Sequence, residues 1–212
     1  MSRRGVFITF EGMDGCGKTT QMGRLAERLR ARGREVVETV EPGGTRVGAQ
    51  IRRILLDAAN QDLRAMPEML LYFASRAQNV EEVILPALER GAVVLSDRFT
   101  DSTEAYQGWG RGLGEESVLT LDRIACRGVV PNLTLLIDID LETSLVRARA
   151  RNVAEGHSET RMDDQSAEFY RKVRDAYRAL AEREAHRFRI IDGRRPPGEI
   201  EGDIWEAVRA CV

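Results

Sequence analysis

The sequence predicts a three-layer α/β fold in which a parallel β-sheet lies between two layers of helices. Short apolar runs rich in β-branched residues alternate with longer segments in which apolar residues recur at helical spacing, as is typical of parallel sheets. A glycine-rich loop, residues 12–19, joins the first apolar run to the first helical segment. Because neither a repeat nor a linker interrupts the pattern, we expect residues 1–212 to form one domain.

Five short apolar runs are predicted as strands. The first reads Val-Phe-Ile-Thr-Phe, a continuous apolar run of the kind found in strands that are buried on both faces. The five predicted strands cover residues 6–10, 35–40, 92–95, 133–137 and 188–191.

Four helical segments follow from the spacing of apolar residues. The first begins after the glycine-rich loop and ends near Gly33, a plausible helix stop. A second covers residues 67–89 and begins at Pro67, a favourable first-turn residue. A third covers residues 166–185, and a closing helix that carries Ile200 and Ile204 follows the Pro-Pro-Gly sequence at 196–198.

Residues 152–165 break this pattern because they are polar and aperiodic. In a phosphotransferase such a segment is a candidate lid, here about 147–165, which closes over the substrates and excludes water. An ordinary mobile surface loop is the alternative.

Composition excludes several classes of function. The formal net charge of −2 and the pI of about 5.9 give no electrostatic case for a nucleic-acid partner. No apolar run reaches the length of a membrane span, and we expect no signal peptide because the chain enters a strand within a few residues. The three cysteines are an odd number without metal-ligand spacing, which favours reduced thiols in the cytoplasm.

Residues 12–19 read Gly-Met-Asp-Gly-Cys-Gly-Lys-Thr, a full match to the phosphate-binding pattern G-x-x-x-x-G-K-[ST]. In this pattern backbone N–H groups form an anion site, the lysine reaches the β- and γ-phosphates, and the hydroxyl can ligate Mg²⁺. We therefore expect Lys18 and Thr19 to take these roles. Because the guanine-reading pattern N-K-x-D and the transporter pattern L-S-G-G-Q are both absent, a small-molecule kinase is favoured.

Asp97 and Arg98 follow the run Val-Val-Leu-Ser at 93–96, which overlaps the third predicted strand. Ligand sites of parallel α/β sheets lie at the carboxyl ends of the strands. Arg98 could grip an acceptor phosphate with its planar fork, and Asp97 could orient Mg²⁺ through water. A surface ion pair is the competing interpretation.

Tyr72 and Arg76 are four residues apart in the second predicted helix and so share a face. An aromatic ring beside an arginine could stack on a base and hold its edge. Without further context Tyr72 is more simply explained as a core residue.

Four arginines lie in or before the candidate lid: Arg147, Arg149, Arg151 and Arg161. An arginine brought in by a closing lid would neutralise charge on the transferring phosphoryl group. Arg161 is the residue we expect in this role, with Arg149 and Arg151 in support. Favourable placement of a cation at a helix C-terminus is the alternative, and it suffices for one of the first three.

Several motifs together resemble the thymidylate kinase family of nucleoside monophosphate kinases. They occur in the same order as in that family and extend over nearly the whole chain. They read Glu-Gly-Met-Asp-Gly-Cys-Gly-Lys-Thr-Thr at 11–20, Glu-Pro-Gly-Gly-Thr at 41–45, Tyr-Phe-Ala-Ser-Arg-Ala-Gln at 72–78, Asp-Arg-Phe at 97–99, Ser-Thr-Glu-Ala-Tyr-Gln-Gly at 102–108 and Pro-Asn-Leu-Thr-Leu at 131–135.

The resemblance implies a five-stranded parallel sheet of the P-loop NTPase fold. It also implies transfer of the γ-phosphoryl group of ATP to dTMP with Mg²⁺, and a homodimer. Bacterial-type members of the family lack a basic residue at the position of Gly15 and supply that cation from the lid. This chain has Gly15 and Arg161, so it resembles the bacterial type.

The resemblance also assigns site residues by position. It implies that Asp14 holds the sugar 3′-hydroxyl, that Tyr72 stacks on thymine, and that Tyr106 disfavours a ribose 2′-hydroxyl. The implied ATP-binding residues are Gly12, Met13, Asp14, Gly15, Cys16, Gly17, Lys18, Thr19, Thr20 and Arg147. The implied dTMP-binding residues are Asp14, Glu41, Pro42, Tyr72, Arg76, Arg98, Thr103, Tyr106 and Gln107. The implied catalytic residues are Lys18, Asp97, Arg98, Arg149, Arg151 and Arg161, with Thr19 and Asp97 at the metal.

Two positions depart from the family. The stacking ring is usually Phe and here is Tyr72, and many bacterial relatives have Arg where this chain has Val40. Arg46 is a candidate to compensate for the second change.

Two other functions remain compatible with the sequence. One is a kinase for another nucleoside monophosphate, against which the resemblance at Thr103, Tyr106 and Gln107 argues. The other is a nucleotide-binding regulatory module without turnover, against which retention of Lys18, Asp97 and Arg98 argues.

Overall fold

The computed structural model describes residues 5–155, 161–162 and 165–212, without the side chains of Arg149 and of 151–155. Five strands form one sheet in the order β2-β3-β1-β4-β5, and every neighbouring pair is parallel. The predicted five-stranded parallel sheet is therefore confirmed. The strands are β1 (Val6–Glu11), β2 (Val36–Val40), β3 (Val93–Asp97), β4 (Leu133–Asp138) and β5 (Phe188–Asp192).

The two central strands carry the residues that the site needs. All of β3 is buried, as is β1 beyond its first residue, because helices cover both faces of the sheet. Phe10 of β1 is in register with Asp97 of β3, so the two strands end side by side. Strands β3 and β4 are consecutive along the chain but lie on opposite sides of β1, and this change of side opens a crevice at the carboxyl ends of these strands.

Helices pack on both faces of the sheet. Helix α1 (Lys18–Arg30) starts at the end of the glycine-rich loop, and α8 (Ala167–Arg183) and α9 (Pro197–Val208) match predicted segments. The second predicted helix is α3 (Ala65–Asn79), which continues through a π-helical turn (Val80–Ile84) into α4 (Leu85–Glu89). The remaining helices are α2 (Arg46–Leu56), α5 (Thr100–Thr103) with its π-helical extension Glu104–Gly110, α6 (Glu115–Ala125) and α7 (Leu141–Glu155).

Helix α7 corrects one boundary of the sequence analysis. The aperiodic segment 152–165 was expected to be a loop, but residues 152–155 continue the helix. Residues 151–155 read Arg-Asn-Val-Ala-Glu and carry no apolar period, so the sequence pattern does not show that the helix continues. Residues 156–160 and 163–164 of the candidate lid lie outside the described residues.

Two apolar clusters hold the layers together, one on each face of the sheet. The larger one packs α1, α8 and α9 on β1, β4 and β5, around Phe10, Leu25 and Tyr177. The smaller one packs α3 and α6 on the other face, around Phe7, Phe73 and Phe99. Within the described part of the chain, no helix combines the length and the apolar character that a membrane crossing requires.

Candidate active site

A cavity of about 780 Å³ opens at the carboxyl end of the sheet. Its volume falls in the range of small-molecule sites. Most residues predicted for the site line it: Asp14, Gly15, Gly17, Lys18, Thr19, Thr20, Glu41, Pro42, Tyr72, Arg76, Asp97, Arg98, Thr103, Tyr106, Gln107 and Arg147. The structure thus brings residues from six distant segments of the chain into one space.

Some predicted residues do not line the cavity. Three residues of the glycine-rich loop do not line it, namely Gly12, Met13 and Cys16. Arg161 does not line it either, and it pairs instead with Glu68 of α3. Arg46 is exposed and does not line the cavity, whereas Arg52, one and a half turns later in α2, does. Val40 also lines it, so an apolar side chain occupies the position where many bacterial relatives carry Arg.

The glycine-rich loop needs its glycines for backbone geometry and close packing. Gly12, Gly15 and Gly17 have φ values of 133°, 75° and 96°, a region that L-residues rarely adopt. A Cβ atom on Gly15 would lie 2.9 Å from the Cβ of Arg147 and 2.8 Å from the backbone oxygen of Ser144. A side chain at position 15 would therefore push α7 away from the loop.

Lys18 is buried and folds back over the loop. Its Nζ donates to the backbone oxygens of Gly12 at 3.0 Å and of Met13 at 2.9 Å. The ammonium group therefore lies at the mouth of the anion site formed by the N-terminus of α1, where a phosphate chain would meet it.

Thr19 and Asp97 meet at the end of β3. The Thr19 hydroxyl donates to Asp97 Oδ2 at 2.6 Å. A hydroxyl and a carboxylate at the end of a phosphate-binding loop are oxygen ligands that suit Mg²⁺, which keeps several waters and is shared with substrate phosphates. The donor set therefore fits this ion.

Arg98 lies at the floor of the cavity and is held at both ends of its guanidinium. Nη2 donates to Asp14 Oδ1 at 2.9 Å, and Nη1 donates to the hydroxyl oxygens of Ser102 at 2.9 Å and Tyr177 at 3.2 Å. The guanidinium also stands 5.1 Å from the centre of the Tyr106 ring. Its backbone has a φ of 74°, an uncommon conformation for a residue with a side chain, which indicates local strain at this position.

Glu11, at the end of β1, fixes this arrangement from below. Its carboxylate accepts from the backbone N–H of Phe99 at 2.8 Å and from the hydroxyls of Ser102 at 2.5 Å and Tyr177 at 2.8 Å. When Glu11 is ionised, both hydroxyl protons point to it, and both hydroxyl oxygens then present lone pairs to Arg98. Glu11 thus holds the strained turn after β3 and orients the arginine fork.

The pKa of Glu11 is raised to about 7. Burial is the main cause and the charge of Asp101 adds to it, while the charge of Arg98 and the hydrogen bonds from Ser102 and Tyr177 act in the opposite direction. The carboxyl group that organises the floor of the cavity therefore titrates near neutral pH.

Arg76 occupies the opposite end of the cavity from the glycine-rich loop. Its Nε donates to Glu41 Oε2 at 2.5 Å, and its Nη2 donates to the backbone oxygen of Phe99 and to Thr103 Oγ1, both at 3.0 Å. Its Nη1 is buried and has no hydrogen-bond partner. A buried donor without a partner is costly, and Arg76 itself is one of the residues that line the cavity.

Arg161 is not at the phosphate end of the cavity. Its guanidinium is 2% exposed and its Nη2 lies 2.7 Å from Glu68 Oε2, while its Nε donates to the backbone oxygen of Leu55. The phosphate-contacting role expected from the sequence would require Arg161 to leave a buried ion pair. Arg147 does line the cavity, and its Nη1 donates to the backbone oxygen of Gly193 at 3.5 Å. The side chains of Arg149 and Arg151 lie outside the described residues.

Sequence reasoning missed several residues that shape the site, notably Glu11, Arg52, Glu68, Ser102, Arg111 and Tyr177. Glu11 did carry a signal, since a carboxylate directly after a buried apolar strand needs a partner. Glu68 and Arg111 carried none, because nothing local to either residue shows that the two meet.

Comparisons with known proteins agree with this geometry. A family model described as Thymidylate kinase matches residues 10–204. The thymidylate kinase of Pelobacter propionicus is 51% identical over 98% of this chain and 94% of its own length, and that of Geotalea uraniireducens is 50% identical over 97% of each. The solved thymidylate kinase of Ehrlichia chaffeensis superposes with a TM-score of 0.79 at 31% identity, over 97% of this chain and 99% of its own.

Glu11→Gln should remove a pH dependence from the stability of the protein. The folded protein holds a proton on Glu11 that the unfolded chain releases between its ordinary pKa of 4.5 and about 7. The free energy of unfolding of the wild type should therefore fall, relative to Glu11→Gln, as the pH rises through this window, by up to about 3 kcal/mol. Denaturant titrations at a series of pH values measure the difference. Glu35→Gln, at an exposed carboxylate, is the control, and parallel curves for wild type and Glu11→Gln would contradict the assignment.

Proposed function

Because this chain belongs to the thymidylate kinase family, we propose that it transfers the γ-phosphoryl group of ATP to dTMP and releases dTDP and ADP. The observation that carries the proposal is one cavity with a phosphate-binding loop at one end and a fixed arginine, Arg98, on its floor. Phosphoryl transfer consists largely of positioning two anionic substrates and neutralising their charge, and such a cavity supplies both.

The donor side of the cavity is built by the glycine-rich loop. Its N–H groups and the N-terminus of α1 receive the phosphates of ATP, and Lys18 neutralises the charge that donor and transferred phosphates share. Arg147 stands beside Gly15 and the loop that follows β5, where it would contact the same nucleotide.

The acceptor side has Arg98 for the phosphate, Asp14 for the sugar and a base pocket beyond them. The guanidinium of Arg98 is already held in position by hydrogen bonds to Asp14 and to the hydroxyl oxygen of Ser102. Little side-chain freedom is therefore lost when a phosphate binds. In the base pocket Tyr72 offers its ring for stacking, and Arg76 Nη1 offers a donor to a base carbonyl oxygen. Tyr106 packs beside Arg98, where its bulk would oppose a 2′-hydroxyl.

Thr19 and Asp97 are the residues that would hold Mg²⁺. An ion held there would supply positive charge against the charge that develops on the phosphates during transfer. The hydrogen bond between the two side chains keeps both oxygens at the end of β3, and Asp97 is the group able to orient metal-bound water.

A reducing compartment, the cytoplasm, is the expected location. The structure has three free thiols, Cys16, Cys126 and Cys211. Cysteines of proteins in reducing compartments usually remain reduced.

A homodimer is the expected assembly, with α3 and α6 at its interface. These helices pack against each other and leave large apolar side chains exposed, namely Met66 and Leu70 on α3 and Leu119 and Ile124 on α6. An exposed apolar patch of this kind favours contact with a second copy of the chain.

A coupled assay of ADP release with dTMP tests the proposed function, and Arg98→Ala tests the acceptor site. The loss of one fixed charge contact should cost about 2–5 kcal/mol of transition-state binding, seen as a higher KM for dTMP and a lower kcat, with the KM for ATP little changed. Arg90→Ala, which removes a surface arginine paired with Glu35, is the control. Absence of dTMP turnover by the wild type would reject the function, and near-normal dTMP kinetics of Arg98→Ala would reject the acceptor site.

Arg161→Ala separates a structural role from a role at the phosphate. Since Arg161 is buried against Glu68, we expect its loss to lower the melting temperature by several degrees and to raise the KM for dTMP, with kcat reduced less than about tenfold. Arg149→Ala or Arg151→Ala should instead lower kcat about 100-fold while the protein melts normally. A 100-fold loss of kcat in folded Arg161→Ala at unchanged KM would return the phosphate role to Arg161.

Leu70→Glu should convert the dimer to a monomer because it places a charge in the middle of an apolar interface. Sedimentation velocity at several protein concentrations measures the change. Ile190→Glu is the matched control, since Ile190 is equally exposed but lies on β5, at the other edge of the sheet. A wild type that sediments as a monomer at all concentrations would reject the homodimer.

A further inference from the structure

Glu68, on α3, is a fully buried carboxylate that does not line the cavity. Its Oε1 accepts from Gln107 Nε2 at 2.8 Å and from Arg111 Nε at 3.1 Å. Its Oε2 accepts from Arg111 Nη2 at 3.0 Å and lies 2.7 Å from Arg161 Nη2. Four donors therefore occupy the carboxylate, and three of the four come from arginines.

The contact with Glu68 decides which way the Gln107 side chain points. A carboxylate can only accept hydrogen bonds, so the NH₂ end of the Gln107 amide must face Glu68. The reverse orientation would place the Gln107 carbonyl oxygen against an anion. Because Gln107 is 1% exposed and lines the cavity, its carbonyl oxygen is the end left to face a ligand.

The carboxylate remains ionised in this environment. Burial by itself raises the pKa of Glu68, but hydrogen bonds from Arg111 and Gln107, together with the charges of Arg111 and Arg161, lower it below its ordinary value. Glu68 therefore acts as an acceptor throughout the neutral pH range.

Two pyrimidine bases differ in the groups that meet such a carbonyl. Thymine carries an N–H donor at ring position 3 and a carbonyl acceptor at position 4. Cytosine carries a bare nitrogen acceptor at position 3 and an amino donor at position 4. A carbonyl oxygen from Gln107 accepts from the N–H at position 3 of thymine and opposes the bare nitrogen acceptor at position 3 of cytosine, so it matches thymine and disfavours cytosine.

We propose that Glu68 is a specificity-determining residue that excludes cytosine by locking the Gln107 amide with its carbonyl oxygen toward the base. Glu68 acts through Gln107 and is thus a positioning residue. The inference rests on the proposed function, since it assumes that the base of the acceptor nucleotide enters this end of the cavity. Arg111 and Arg161 contribute by holding the carboxylate ionised and in place.

The test is the ratio of kcat/KM for dTMP to kcat/KM for dCMP. Glu68→Gln places a neutral amide at position 68 that can donate to Gln107 as well as accept from it, so both orientations of the Gln107 amide become available. We expect the ratio to fall about tenfold or more, mainly through faster use of dCMP, because a site with a misplaced polar group no longer rejects the wrong base. Gln107→Met should lower the ratio similarly, and the double variant should show no further loss.

Glu104→Gln is the matched control. Glu104 is also a buried carboxylate, and it accepts two hydrogen bonds from Arg183 at 2.9 and 3.1 Å, but it does not line the cavity or contact Gln107. Glu104→Gln therefore removes a buried charge as Glu68→Gln does. Its ratio of kcat/KM for dTMP to kcat/KM for dCMP should equal that of the wild type.

Glu68→Asp keeps the negative charge and is the second variant for this test if Glu68→Gln does not fold. Its shorter side chain withdraws from Gln107, so the ratio should again fall. An unchanged ratio in the folded Glu68 variants, with wild-type protein active on dTMP, would overturn the role of Glu68 and leave the proposed function intact. Wild-type protein without dTMP turnover would instead reject the proposed function.

Discussion

Arginines that are buried or half-buried stand against carboxylates in this site, and the rest of the geometry depends on that pairing. A guanidinium cannot shed its proton, so an arginine that is withdrawn from water needs an anion beside it. Arg98 pairs with Asp14, Arg76 with Glu41, and Arg161 with Glu68. Each pair joins segments that are distant along the chain, so the same contacts that neutralise charge also hold strand ends, loop and helices in their relative positions.

Two polar side chains that line the cavity are only partly paired, and we propose that this incompleteness gives the site its selectivity. Arg76 has partners for Nε and Nη2 but none for Nη1, and the amide nitrogen of Gln107 is engaged while its oxygen is left toward the cavity. A ligand that supplies the missing partners removes an existing penalty, whereas a ligand with the opposite polarity adds one. Holding polar groups in such an arrangement lowers the stability of the folded protein. Glu11 is an example, since burial disfavours its charged form.

Sequence patterns predicted the sheet well because buried parallel strands are continuous apolar runs. They also predicted four helices, α1, α3, α8 and α9, because each of these helices shows one clear apolar stripe. The helical stretch from α5 through Glu104–Gly110 was not predicted. It contains two glycines and a threonine-rich start, which have low helix propensity, and it is helical because it packs against α8. Residues 152–155 were expected to belong to a loop and instead continue α7, because their polar sequence carries no apolar period that would indicate a helix.

The sequence by itself determined the phosphate-binding loop, the strand ends and the residues attached to them. Those features are local: the glycines set the backbone of the loop, and Asp97 and Arg98 lie at the carboxyl edge of the sheet because Asp97 ends β3 and Arg98 directly follows it. Only the tertiary structure decided which buried charges meet. Arg161 was expected at a phosphate and is found against Glu68, and Glu68 in turn sets the direction of Gln107. The spacing of residues along a chain gives their positions on one helix or strand, but the distance between two helices depends on how the whole core packs.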